Sequence, residues 1–433
     1  MKHYKFLIPL LLVVLFGASV YSLSGEKVEL KQEYNQYLEQ ARECREQGIQ
    51  VDALSFYNQA LTMEPSLDLS LEIGDYYLEL EDSDEALSWG ESLVESYPKE
   101  SKAYEFLMDL YLNTENYVSC YQLYDKFADR ELSSEAISKT MSQIDNLYYF
   151  SGEYQNVGAY SSGLCPVQSD DLWGYVDQGG SQVVQTQFSK AGPFSETLAG
   201  ITDAEGNSYF IDSAGNKKRV VQGVSAKELG MICGGIFPLY DGGKWGYYNL
   251  EENKHLFGEY DQVSALQDGI AAVKEGETWS LVNSNGEKIS SETYDGVILD
   301  EKQCVSSHSR IFVEKSLSFQ MLDASGNPIG NQTFDDARLF IDDSGAAVKV
   351  GEVWGFIDTN GNWQMEAQYQ NARSFSNGLA AVQIDGKWGF IDREGKVIIE
   401  AVFDDAKDFT SSGTVFVCED GVWKLLKLYK YNH

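Results

Sequence analysis

Two kinds of apolar periodicity divide this chain. From residue 26 to about 150, apolar positions recur at three- and four-residue intervals with almost no Gly, the rhythm of helices packed on one face. From about 151 onward the apolar runs are short, alternating and separated by turn residues, the rhythm of strands. The clearest stretch lies between Gly378 and Gly413. Leu379 to Ile384 reads as a strand and Asp385-Gly386 as a two-residue hairpin turn. Lys387 to Asp392 is the second strand, whose alternation places Trp388 and Phe390 on one face. Arg393 to Lys396 turns again, with Gly395 suited to a positive φ. Val397 to Val402 is a third strand, and Phe403 to Phe409 returns the chain to the next Gly.

This unit repeats. Trp-Gly recurs at Trp173-Gly174, Trp245-Gly246, Trp354-Gly355 and Trp388-Gly389, and Trp279 and Trp423 keep the Trp without the Gly. Tyr209 and Phe319 put another aromatic where the register expects Trp. Spacings along this series are 36, 36, 34, 40, 35, 34 and 35 residues. A constant period with a drifting sequence means one supersecondary unit stacked many times, each copy unable to bury its apolar face alone. The large indole beside a bare Gly lets a neighbouring layer approach closely, so the pair is foremost a packing device. Gly345 to Val348, Trp354 to Asp358, Gly361 and Tyr369 to Phe375 form a second, nearly complete copy.

These copies resemble the WG (KWG) repeat family, all-β repeats of bacterial envelope proteins. The resemblance covers about 280 residues. It implies a repeat-built interaction surface and brings no catalytic residues. The array ends after the second strand of a copy, and Glu153 to Gly163 matches the return segment of a copy whose first two strands are missing. Such complementary fragments are what a ring closed by its two termini needs. A propeller-like ring of about eight thin blades is the first expectation and an open β array the second.

In the helical stretch, Tyr37, Ala41, Cys44, Ala53, Tyr57, Ala60 and Pro65 recur 33 residues later as Gly74, Tyr77, Ala86, Leu93 and Pro98. A looser third copy holds Tyr104, Leu107, Tyr111, Tyr117, Cys120, Tyr124 and Phe127. Small residues let two antiparallel helices approach, the aromatic fills the gap, and Pro closes the second helix. The pattern resembles the tetratricopeptide (TPR) family, which implies a groove for peptides or partner proteins. A further helix is expected from Ser133-Ser134-Glu135, with either Ser as N-cap, as a capping helix for the array. The expected class is therefore α + β multidomain, with TPR-like hairpins over 26–150 and a WG-repeat β domain over 151–433.

Residues 1–25 read as a signal peptide or signal-anchor. Lys2 and Lys5 precede the apolar run Phe6 to Val20, which is short for a membrane span, and small polar residues follow. Val20 and Ser22 could serve as the −3 and −1 residues of a cleavage site, so retention and cleavage both stay open. Either way, charge before the run puts the rest of the chain outside the membrane.

Composition narrows the partners. A formal net charge of −34 repels nucleic acid and anionic lipid and favours cationic partners, although a solvated acidic surface with no specific partner accounts for it more simply. Cys44, Cys120, Cys165, Cys233, Cys304 and Cys418 are scattered without metal-ligand spacing, as small core or strand residues would be.

Candidate chemistry is sparse. Asp323-Ala324-Ser325-Gly326, Asp358-Thr359-Asn360-Gly361 and Asp392-Arg393-Glu394-Gly395 resemble fragments of calcium loops but lack the distal Glu, and read as side-chain-capped turns. The pairs Asp335-Asp336 and Asp404-Asp405 recur with the repeat, whereas a glycosidase pair is expected at one site. His255 and His308 lie in degenerate copies without a nucleophile motif. No cofactor, metal or catalytic residue is assigned. The expectation is a non-enzymatic, exported bacterial scaffold that binds a protein or peptide. The alternatives are a module for envelope glycan, or a wall-polymer hydrolase built in the degenerate copies around 209 or 290–340.

Overall fold

The computed structural model of the chain describes residues 26–219 and 226–431. The run read as an export signal lies outside the described residues. The described chain forms two compact units that divide between Asp145 and Asn146.

The first unit is helical: α1 (Glu26–Glu46), α2 (Gln50–Met63), α3 (Leu67–Glu79), α4 (Ser83–Ser96), α5 (Ser101–Asn113), α6 (Tyr117–Ala128) and α7 (Glu135–Ile144). The segment fits TPR-like hairpins. Ser66, Asp82, Asn116 and Ser134 each accept a hydrogen bond from the backbone N–H three residues on, which satisfies a donor that the first turn leaves open. Ala41, Ala53, Ala60 and Ala86 are fully buried, and Tyr57 packs in one cluster with the first three. At Gly74 a Cβ would lie 2.5 Å from the Phe106 ring of α5, so the small residue sits where two helices touch. Tyr37 stacks on Phe56 and Tyr77 lies against Trp89. Pro65 and Pro98 follow directly on the ends of α2 and α4.

The second unit is an eight-bladed β-propeller ring. Blades 1 to 7 span 156–188, 190–219, 228–260, 262–283, 296–323, 336–369 and 371–403. Blade 8 takes Asp405–Ala406, Thr414–Glu419 and Val422–Leu428, and its fourth strand is Tyr148–Tyr154 from the start of the unit. Tyr148 pairs with Leu428, Phe150 with Leu426 and Tyr154 with Trp423, so the two ends of the unit close the ring. The three strands read in the clearest copy are present in blades 1, 2, 3, 6 and 7, whereas in blades 4 and 5 the outer one is reduced to isolated bridges. The return segment adds a fourth, a two-residue inner strand such as Asn371–Ala372 or Asp405–Ala406, which belongs to the following blade. Each repeat is therefore shared between two blades.

Every junction between neighbouring blades has its own apolar cluster. Trp354, Phe356 and Tyr369 of blade 6 pack on Phe375, Val382 and Ile391 of blade 7. Trp388, Phe390 and Phe403 of blade 7 pack on Phe409, Val415 and Leu426 of blade 8. The closing junction is built alike, from Phe416 and Leu425 of blade 8 with Val157, Cys165 and Val176 of blade 1. Cys120, Cys165, Cys304 and Cys418 are buried and Cys44 and Cys233 half-buried, all as free thiols.

Candidate functional site at the ring centre

The repeat's own motif residues hold the blades together. Trp354, Trp388 and Trp279 are nearly buried in their junctions, while Trp173, Trp245 and Trp423 are half-buried. Beside them, the Gly meets the backbone of the next strand in its own blade rather than a separate layer. A Cβ on Gly355 would lie 2.6 Å from Ala367 N and Met365 O, and one on Gly389 2.7 Å from Ala401 Cα and Ile399 O. On Gly174 it would lie 2.5 Å from Val184 O. In each case the outer strand bulges, and its extra residues pass over the bare Gly. At Gly246 the same space is taken by the His255 ring, which a Cβ would meet at 2.8 Å, and by Gly258 O.

The recurring carboxylates are committed to turns. In Asp323, Asp358 and Asp392, Oδ1 accepts from the backbone N–H groups two and four residues on, and Gly326, Gly361 and Gly395 complete the turns at φ +78°, +82° and +81°. Asp212 makes the same turn. A hydrogen bond from Lys218, with those from Asn216, lowers its carboxyl to about 2. In the paired carboxylates the two members divide the work. Asp335 and Asp404 accept from Gly351 N and Asp420 N in the hairpin turn of the same blade, at 2.6 and 2.7 Å. Asp336 and Asp405 accept from the N–H of the residue that follows each. Gln155, Asp261, Asp295 and Gln370 repeat the first contact in four more blades.

The two histidines sit apart. His255 lies within 3.0 Å of Gly258 O and against Tyr248, beside a cleft of about 190 Å³ that Trp245, Asp241 and Glu259 also line. His308 reaches Ile341 O of blade 6 at 3.2 Å. Among the described residues no group of three or more His, Cys, Asp or Glu side chains is placed to hold a metal ion.

What gathers charge is the ring centre. Arg338, Arg373 and Lys407 occupy the same repeat position in blades 6, 7 and 8, since their N–H groups donate to Ala347 O, Ala381 O and Phe416 O in identical register. The equivalent residues elsewhere are Gly158, Gly230, Ser264 and Ile298. Arg373 Nη1 and Lys407 Nζ both bond Glu301 Oε1, at 3.0 and 2.8 Å. Glu301 comes from blade 5, so its contact with Arg373 skips blade 6, its contact with Lys407 skips blades 6 and 7, and both cross the centre of the ring. Asp408 Oδ2 stands 3.7 Å from Arg373. Arg338 donates to Ala372 O and Asn371 Oδ1 and lies over the Trp354 ring.

Side chains here are partly enclosed, with Arg373 13 % and Glu301 34 % exposed. Burial works against the charge of Glu301, but Arg373 and Lys407 overcome it and keep its carboxyl below the usual range. Burial pushes the Asp408 carboxyl up, against the pull of Arg373, and the nearby negative charge of Glu301 adds to the rise. Arg373 and Lys407 stand in the return segments that the repeat pattern predicts, but no local pattern predicts their meeting with Glu301. Its only signal in the sequence is the single 40-residue spacing, which marks extra chain before Phe319.

The four places where Trp-Gly is intact coincide with a family signature. The family model for the WG containing repeat matches residues 173–202, 245–279, 354–388 and 388–423. Four copies in the ring carry the WG-repeat signature. No curated protein matches the chain in sequence. Among solved structures, the WG-repeat chain is similar to a computationally designed protein at 13 % identity, over 62 % of this chain and 94 % of that one, with a TM-score of 0.41. It is similar to BamB from Moraxella catarrhalis at 12 % identity, over 65 % and 98 %, with a TM-score of 0.40. PorZ, a surface component of the type-IX secretion system of Porphyromonas gingivalis, is similar at 14 % identity, over 61 % and 41 %, with a TM-score of 0.34. Among the described residues of the WG-repeat chain, no helix is long and apolar enough to cross a membrane.

Proposed function

We propose that the protein is a non-enzymatic interaction scaffold of the bacterial envelope, with TPR-like hairpins and a WG-repeat ring that together present surfaces to a protein or peptide. One observation carries this reading: the residues that recur and could have done chemistry are bound to backbone. The Asp-x-x-Gly carboxylates and the paired carboxylates cap turns, and the repeat's Trp residues other than Trp245 lie in or against blade junctions. Repeat-built rings and helical hairpins commonly serve as binding surfaces, a warrant from fold rather than from a site. Lys2, Lys5 and the apolar run to Val20 support export. Whether that segment is retained as an anchor or cleaved, the two units act outside the membrane.

The test is in-cell crosslinking of the full-length protein with recovery of partners by mass spectrometry, alongside a wall-glycan array. Enrichment of one defined protein is the expected result. Glycan capture without a protein would move the assignment to a wall-binding module, and release of shortened glycan would overturn the non-enzymatic reading. Protease accessibility on whole cells checks export: degradation only after lysis would remove the envelope from the proposal.

A further inference from the structure

We propose that the ring centre is a carboxylate-recognition site formed by Arg373 and Lys407, and that Glu301 occupies it as an internal ligand which an external carboxylate must displace. The site belongs to the ring and stands independently of the partner proposed above.

Three features point this way. First, Glu301 is delivered by an insertion. The repeat spacing rises to 40 only between Trp279 and Phe319, and the added chain is a built turn: Asp300 Oδ1 accepts from Lys302 N and Cys304 N at 2.9 and 2.8 Å. Ala265 N donates to Gln303 O and ties the turn to blade 4. Second, two cations from different blades converge on one oxygen of that carboxylate, an arrangement that recognises a carboxylate and is not required to hold neighbouring blades, which have their own cores.

Third, the fit of Glu301 is incomplete. It engages Arg373 through Nη1 alone, and the buried Nε of Arg373 meets no partner among the described residues. A guanidinium holds a carboxylate best through two parallel N–H···O bonds. A carboxylate not tethered to the insertion can make the Nε contact that Glu301 leaves unmade. With Glu301 withdrawn, Arg338, Arg373 and Lys407 face Asp408 as the nearest anion, while Asp336 and Asp405 remain bonded to their own strands. The vacated centre is thus cationic within an otherwise acidic protein, which is what a small anionic group, presented by a peptide or free in solution, would recognise.

The experiment compares full-length wild type with Glu301→Ala, using propionate as the probe at constant ionic strength against chloride, read by thermal shift and calorimetric titration. Glu301→Ala should melt lower and regain stability with propionate, and should bind it at least about tenfold more tightly than wild type, because the internal competitor is gone. The same response must vanish in Glu301→Ala with Arg373→Met and Lys407→Met. If Glu301→Ala does not fold, Glu301→Gln, which keeps the size and one acceptor, is titrated instead and should respond more weakly but above wild type. A variant that ignores propionate, or a wild type that binds it equally well, overturns the proposal.

Discussion

Blades 7 and 4 start from the same plan and end differently at their outer edge. Both keep the Trp and both anchor the outer segment at the same two places: Trp388 with Phe403 and Ile391 with Val397 in blade 7, Trp279 with Tyr294 and Val282 with Lys288 in blade 4. In blade 7 the residues between the anchors form a continuous strand, Val397–Phe403, that passes over Gly389. In blade 4 the equivalent position is Ser280, itself buried, and only isolated bridges remain. Blade 5, with Gln320 there, repeats the outcome of blade 4, and blade 6, with Gly355, that of blade 7. Blade 8 has Lys424 and still pairs fully, because its outer strand bulges at its own Gly152, at φ +66°. The Trp therefore sets the junction, and the Gly makes room for an outer strand that carries extra residues opposite it, whereas blade 8 with Lys424 and blade 2 with Phe210 pair their outer strands without it.

The comparison can be broken first at what the two blades share. Trp388→Ala and Trp279→Ala should each cost about 3–5 kcal/mol, since both indoles are buried in a junction core. Urea unfolding of the two variants checks this. A far smaller loss at Trp279 would mean that blade 4 has drifted in its core as well as at its edge.

Next comes the exchange that turns blade 7 into blade 4. Gly389→Ser places a Cβ against backbone at 2.7 Å and should cost about 1–3 kcal/mol. Hydrogen exchange should quicken across 397–403 while the inner strands keep their protection. Uniform loss of protection across the blade would show that the outer strand does not respond on its own.

A smaller effect concerns the turn shared by many blades. The Asp212 carboxyl lies at about 2, below the ordinary value of about 4. A lowered carboxyl adds stability that is complete above its unfolded pKa and is lost as pH falls through the folded one, so Asp212's share should fade between about pH 4 and 2. Melting temperatures of wild type and Asp212→Asn should converge over that interval. Curves that stay parallel would mean that the turn does not depend on the charge. Smallest of all is Ser280→Gly, expected to cost about 0.5–1 kcal/mol through the added freedom of Gly in a strand. Its readout is structural: new exchange protection between Ile289 and Tyr294 would show that the Gly alone restores the strand.

Much of this is legible in the sequence because it recurs. The aromatic at each period, the Asp-x-x-Gly turns and the complementary fragments at the two ends of the array all follow from local pattern, and so does a ring of about eight blades. In the helical unit, Ala41, Ala53, Ala60 and Ala86 announce close helix contacts by their size alone. The role of Gly is only half legible. Its need for space is clear, but the approaching backbone belongs to its own blade, which pattern alone does not distinguish from a separate layer. The ring centre is not legible. Glu301 lies 72 residues from Arg373 and 106 from Lys407, and the three meet only because the ring turns them inward. Each looks like an ordinary solvated charge in its own repeat.

The closing strand Tyr148–Tyr154 has a consequence in time. It leaves the ribosome before any blade exists, and its partner Val422–Leu428 is made after all of them. At ordinary synthesis rates the wait is on the order of tens of seconds, during which a strand bearing Tyr148, Tyr149, Phe150 and Tyr154 has no ladder to join. An unpaired apolar strand is a template for association with other chains. Concentration during synthesis, more than the stability of the finished ring, should therefore govern the yield of folded protein.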